Sequence, residues 1–147
     1  MILDVKGQSG AVFRLMVDAI IGLVILLIIL SVLTYFESVR IDVSKAEFIS
    51  IVQSAVETPN GSVVASKTLV FVSGLGFSAS QLQSLTNYPA DCFKFQSNLG
   101  SVNIIADGKM VEFKQNVETK VYAKCEPDLD NPENIITCDI SFGTKLD

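Results

Sequence analysis

Three cysteines, Cys92, Cys125 and Cys138, carry the most versatile chemistry in this sequence. Three thiols allow one disulfide and one spare, and the sequence alone leaves the pairing open. A four-thiolate metal site needs one thiol more, and none of the spacings is Cys-x-x-Cys. No histidine occurs. That removes Ser-His-Asp and Cys-His catalysis within the chain, together with any zinc site that needs imidazole. Oxygen donors gather in EPDLDNPEN, Glu126 to Asn134, where Asp128, Asp130 and Glu133 stand with two asparagines. Carboxylates at this density suit calcium, but the loop lacks the ligand spacing and the shaping glycine of an EF-hand. A solvated acidic turn is the simpler account. Arg14 and Asp18 stand four residues apart and so share one face of a helix. They either flank a membrane at headgroup level or pair inside a protein assembly. Asn60-Gly61-Ser62 fits the N-glycosylation acceptor pattern, and the same triplet also suits an ordinary turn.

The remaining acids show no spacing that singles out an acid/base pair. GLGFS, Gly74 to Ser78, is too short a glycine cluster for a Walker-type phosphate loop. No enzyme and no cofactor are expected. Eleven basic residues against sixteen acidic ones give a net charge of -5. Without a cluster of Lys and Arg, phosphate neutralisation cannot drive binding, so nucleic acid is not an expected partner.

The elements that must position these residues begin with one hydrophobic run. From Ala19 to Phe36 there is no charge, and Leu, Ile and Val dominate. As a helix this run spans about 27 Å, close to the hydrocarbon thickness of a bilayer. Its β-branched residues favour a strand, but a lipid-exposed strand of this length would leave its backbone groups unpaired. The core is longer than that of a secretory signal, and the following SVLTYFESVR offers no Ala-x-Ala cleavage pattern. No glycine or proline interrupts the chain between Gly22 and Pro59. Val39, Val43, Ala46, Ile49, Val52 and Val56 recur at steps of three and four, predicting an amphipathic continuation. Glu37 and Arg40 are placed to pair at i,i+3 on its polar side. The helix, from about Ser9 to Glu57 and on the order of 70 Å long, should stop at Thr58-Pro59-Asn60-Gly61.

Beyond Gly61 the pattern changes to short β-type runs. Lys67–Gly74, Cys92–Gln96, Ser101–Gln115, Glu118–Cys125 and Asn134–Gly143 are strand candidates. Asp107-Gly108 is a two-residue hairpin signal within the third. Ser78 to Leu85 reads as a short helix with a capping box from Ser78 to Gln81. Val111 and Phe113 alternate with Glu112 and Lys114, which predicts a sheet with one buried face. The helix stripe is the apolar partner that face needs. If the last two strand candidates pair, Cys125 and Cys138 become neighbours, and they are the preferred disulfide in an oxidising compartment. The fold class expected is α+β, with a long N-terminal helix packed on a small antiparallel sheet.

The leader MILDVKG, the break at Gly7, Gln8 and the retained hydrophobic helix together resemble archaeal type IV pilins with a class III signal peptide. The resemblance covers about the first 36 residues. It implies that a membrane-embedded prepilin peptidase recognises Lys6-Gly7, removes residues 1–7 and leaves Gln8 as the new N-terminus. It implies next that residues 8–58 form the long helix, with 19–36 in the membrane before assembly and in the filament core afterwards. Residues 59–147 would form the outer, β-rich head. The partners implied are copies of the same chain in a helical filament, and the location is first the cell membrane, then the extracellular surface. The function implied is that of a structural subunit, major or minor, in adhesion or attachment. Bacterial pilins carry a glutamate at the fifth residue after the cut; Val12 stands there, which favours the archaeal branch. Arg14 and Asp18 depart from a segment that is almost wholly apolar in the family. The competing reading is an uncleaved single-pass protein whose external domain binds a ligand; the two differ at the Gly7–Gln8 bond.

Overall fold

The uninterrupted run of helix-compatible residues before Pro59 folds as one helix, α1, Lys6–Glu57. The computed structural model describes residues 6–130 and 136–147, with backbone alone over 6–9. After α1 come β1 (Val63–Phe71), β2 (Gly76–Ser78), α2 (Ala79–Thr86), a 3₁₀ turn (Ala90–Cys92), β3 (Phe93–Ser97), β4 (Val102–Ile105), β5 (Met110–Phe113), β6 (Val117–Pro127) and β7 (Ile136–Phe142). The fold is α+β. Two compact units divide the chain, one ending at Val39 and the other spanning Arg40–Asp147. The last turns of α1 thus belong to the same unit as the sheets.

Several local signals read from the sequence produce the elements they predict. Ser78 caps α2, its hydroxyl accepting from the Gln81 N–H while the Gln81 side chain accepts from the Ser78 N–H. Asn87 ends the helix in the left-handed region at φ 61°. Asp107 and Gly108 have φ of 54° and 85°, and the Lys109 N–H donates to the Ala106 carbonyl at 3.1 Å, closing the β4–β5 turn. Glycine is favoured at 108, because φ there is 85° and a Cβ would crowd the Phe95 carbonyl oxygen at 3.2 Å. That close approach lets the Gly108 carbonyl accept from the Phe95 N–H at 2.7 Å, which covers the outer edge of β3.

The sheet differs from the expected single antiparallel one in two ways. Among the described residues there are two sheets, ordered β1-β6-β7-β3 and β2-β5-β4, and β3 runs parallel to β7. The reason lies in connection length: β3 reaches β7 only through β4, β5 and β6, far more chain than a hairpin needs, so antiparallel pairing is not imposed. Phenylalanines join the layers. Phe71 of β1 stacks on Phe113 of β5 at 4.4 Å, and Phe142 of β7 meets Phe113 at 5.3 Å and Phe71 at 5.7 Å. Phe48 of α1 reaches Phe77 of β2 at 4.3 Å and Phe142 at 5.9 Å.

The predicted helix face packs here only in its second half: Val52 and Val56 are buried and Ile49 lies against the core. Val39, Val43 and Ala46 are exposed, and the buried row is Ser44, Phe48, Ile51, Val52, Ala55 and Val56. Phe48, the largest side chain on α1 to be fully buried, lies outside the predicted stripe, one turn before Val52. Ser44 is buried because it bonds. Its hydroxyl donates to the Arg40 carbonyl at 2.9 Å and accepts from the Val70 N–H on the edge strand β1 at 3.0 Å. Ser66 plays the matching role at the β1 bulge between Ala65 and Thr68, accepting from the Val121 N–H at 2.8 Å. Ser44→Ala leaves the Val70 N–H without its acceptor, so a loss of about 1–3 kcal/mol is expected in chemical denaturation. A variant within error of the wild type would show that water replaces the hydroxyl.

Candidate functional site

The hydroxyls inside the apolar run show how α1 is made compatible with a medium that offers no hydrogen bonds. Ser31 donates to the Leu27 carbonyl at 2.8 Å, Thr34 to Leu30 and Ser31 at 3.2 and 3.0 Å, and Ser38 to Tyr35 at 2.8 Å. Each polar side chain closes onto its own helix, so none demands a partner from outside. Every residue from Gly10 to Arg40 is exposed, including the Leu, Ile and Val residues between Ala19 and Phe36. The helix is long and apolar enough to cross a membrane. Tyr35 and Phe36 close the run with rings 6.3 Å apart, the kind of aromatic pair that settles at a headgroup boundary.

At the other end, Lys6, Gly7 and Gln8 are the first residues of α1, and residues 1–5 lie outside the described ones. Arg14 and Asp18 are both exposed, and among the described residues no ion pair joins them. Arg before Asp at i,i+4 is the less favourable order for such a pair. A shallow open pocket beside Arg14 is lined by Gly10, Ala11, Arg14 and Leu15. Glu37 was the expected partner of Arg40, but Arg40 instead meets Glu118 of β6 at 2.8 Å. With both side chains more than half exposed, this pair contributes at most about 1 kcal/mol.

On the head, Cys125 and Cys138 face each other across β6 and β7 and are joined in a disulfide, Cα to Cα 4.1 Å. The Cys125 carbonyl turns the other way, accepting from the Gly61 N–H at 2.9 Å, so the pair occupies the close, non-hydrogen-bonded position of an antiparallel ladder. Cys92 is the spare thiol. It is fully buried, and that burial pushes it above the usual thiol range despite a backbone hydrogen bond with Ile136. Asn60 is exposed beside the end of α1, its Oδ1 accepting from the Ser62 N–H at 2.9 Å. In the acidic loop, Asp128 accepts from the Asp130 N–H and from the Thr137 hydroxyl, both at 3.1 Å. Among the described residues no three His, Cys, Asp or Glu side chains come together in a way that would hold a metal ion. Residues 131–134 of that loop, Glu133 included, lie outside the described residues. The chain thus carries an apolar helix exposed from Gly10 to Arg40, a disulfide-closed head and two opposite charges on the helix. The chain matches no protein-family model, no curated protein and no solved structure.

Proposed function

We propose that this chain is a structural subunit of a type IV pilus-like surface filament. A precursor rests with residues 19–36 of α1 in the cell membrane and the Arg40–Asp147 unit outside. A prepilin peptidase cuts between Gly7 and Gln8, and the helix then leaves lipid for a bundle of identical helices. The head forms the outer, adhesive surface. The observation that carries this reading is the unbroken exposure of α1 from Gly10 to Arg40 on a chain whose remainder has its own core. Apolar surface of that extent needs lipid or other helices around it. The small residues Gly10, Ala11, Ala19 and Gly22 let neighbouring backbones come close. The role is structural rather than catalytic.

The test is N-terminal mass mapping of chain taken from native membranes and from sheared surface material. The expected result is a mature chain starting at Gln8 in the sheared fraction. A chain still starting at Met1, and confined to membranes, overturns the reading and leaves a single-pass anchor for an external binding domain.

A further inference from the structure

Gly10, Arg14, Asp18 and Gly22 fall at successive steps of four, so they form one slanted row on α1. Arg14 and Asp18 are the only charged residues between Gln8 and Phe36. Both are exposed and they do not pair within the described chain. A Cβ added at Gly10 or at Gly22 would meet nothing within 4 Å, so the row is open at both ends. From this charge pattern we infer that a second copy of this chain, parallel and displaced by four residues, docks on this row through Arg14 of one copy and Asp18 of the other. The inference rests on the assembly proposed above.

The displacement follows from what faces what. A parallel copy in register sets Arg14 against Arg14 and Asp18 against Asp18, which opposes association. An antiparallel copy would also match the charges, but chains inserted in one membrane share one orientation. A parallel copy shifted by four residues, about 6 Å along the axis, sets Arg14 against Asp18. It also sets the neighbour's Gly10 opposite Arg14 and Gly22 opposite the neighbour's Asp18. Each charged side chain then faces its opposite or an open glycine, and no like charges meet. In an apolar surround an unmatched charge is strongly disfavoured, so this pairing fixes the stagger as well as the partner. Repeated from copy to copy, the same step builds a staggered array rather than a closed pair.

The experiment uses the full-length chain in its native membranes. Chains carrying Arg14→Cys and Asp18→Cys are expressed together and oxidised with iodine, and sheared material is scored for filaments. Cys92, whose buried thiol is shielded from alkylation until the chain unfolds, reports that each variant is folded. The expected result is a cross-link between position 14 of one chain and 18 of the other, with 14–14 and 18–18 products lost. Dominant 14–14 or 18–18 products overturn the inference. Filaments without the 14–18 product also overturn it while leaving the filament reading intact. The 14–18 product in membranes that yield no filaments supports the staggered docking and removes the filament. Charge reversal separates pairing between chains from pairing within one. Arg14→Asp and Asp18→Arg should each lose assembly alone, by roughly tenfold or more, and regain it when mixed. Failure of the mixture to recover, in folded and inserted chains, overturns the pairing.

Discussion

Phe142→Ala should unfold the head domain more readily than any other single truncation in it. Phe142 is fully buried on β7, and its ring lies within 6.3 Å of Phe48, Phe71, Phe95 and Phe113. It therefore joins α1, both sheets and the parallel strand β3 at one point. Removing a buried phenyl group costs about 3–5 kcal/mol, the lost transfer energy plus the cavity that remains. A domain of this size holds about 5–15 kcal/mol in total. The variant should thus sit near the edge of folding, with its melting temperature lowered by roughly 15 °C or more. Phe142→Leu keeps most of the volume and should lose much less. The check is calorimetry of detergent-solubilised chains, compared with the Leu variant. Equal melting of wild type and the Ala variant would mean that this aromatic cluster does not hold the layers together.

Signals that act over a few residues were legible because their physics is local. The Ser78–Gln81 capping box, the Asp107-Gly108 turn and the helix stop at Pro59 each depend on neighbours in the chain. The α1 stripe was legible from Ile49 onward but not before it, since aliphatic residues occur on more than one side of the helix after Val39. What selects the buried side is the fit of Phe48 between Phe77 and Phe142, residues 29 and 94 positions away. Ser44 could not be placed by hydropathy at all, because its burial depends on the unpaired N–H of an edge strand. The parallel pairing of β3 with β7 is likewise a long-range choice, made by inward-facing Phe93 and Phe95 packing beside Cys138 and Ile140.

Of the candidate site, the apolar run was legible, since its length and composition demand a helix long and apolar enough to cross a membrane. Arg14 and Asp18 were legible by spacing as residues of one helix face, either flanking a membrane at headgroup level or paired inside an assembly. Both are exposed, and among the described residues no ion pair joins them. The Glu37–Arg40 pair failed for an instructive reason. Helical spacing counts only neighbours on the helix, and Glu118 on β6 offers Arg40 a carboxylate at hydrogen-bonding distance.

Breaking the Cys125–Cys138 bridge should cost about 3 kcal/mol, the loop-closure entropy returned to the unfolded chain when a link across 13 residues is lost. The Cys125→Ser/Cys138→Ser variant is the cleaner form of the experiment, because Cys92 then has no partner to exchange with. In the intact protein that exchange is held back by the environment of Cys92. Its thiol is buried and its pKa raised, so the reactive thiolate is scarcer at neutral pH than for an ordinary cysteine. Exchange therefore has to wait for unfolding, and the register Cys125 opposite Cys138 is re-formed with the ladder itself. Thiol titration of chain from native membranes gives the matching chemical result. No thiol should react in the folded protein, one should react after denaturation without reductant, and three after reduction. Three reactive thiols on denaturation alone would mean that the chain lives in a reducing compartment. An external head, and with it the surface filament, would then be ruled out.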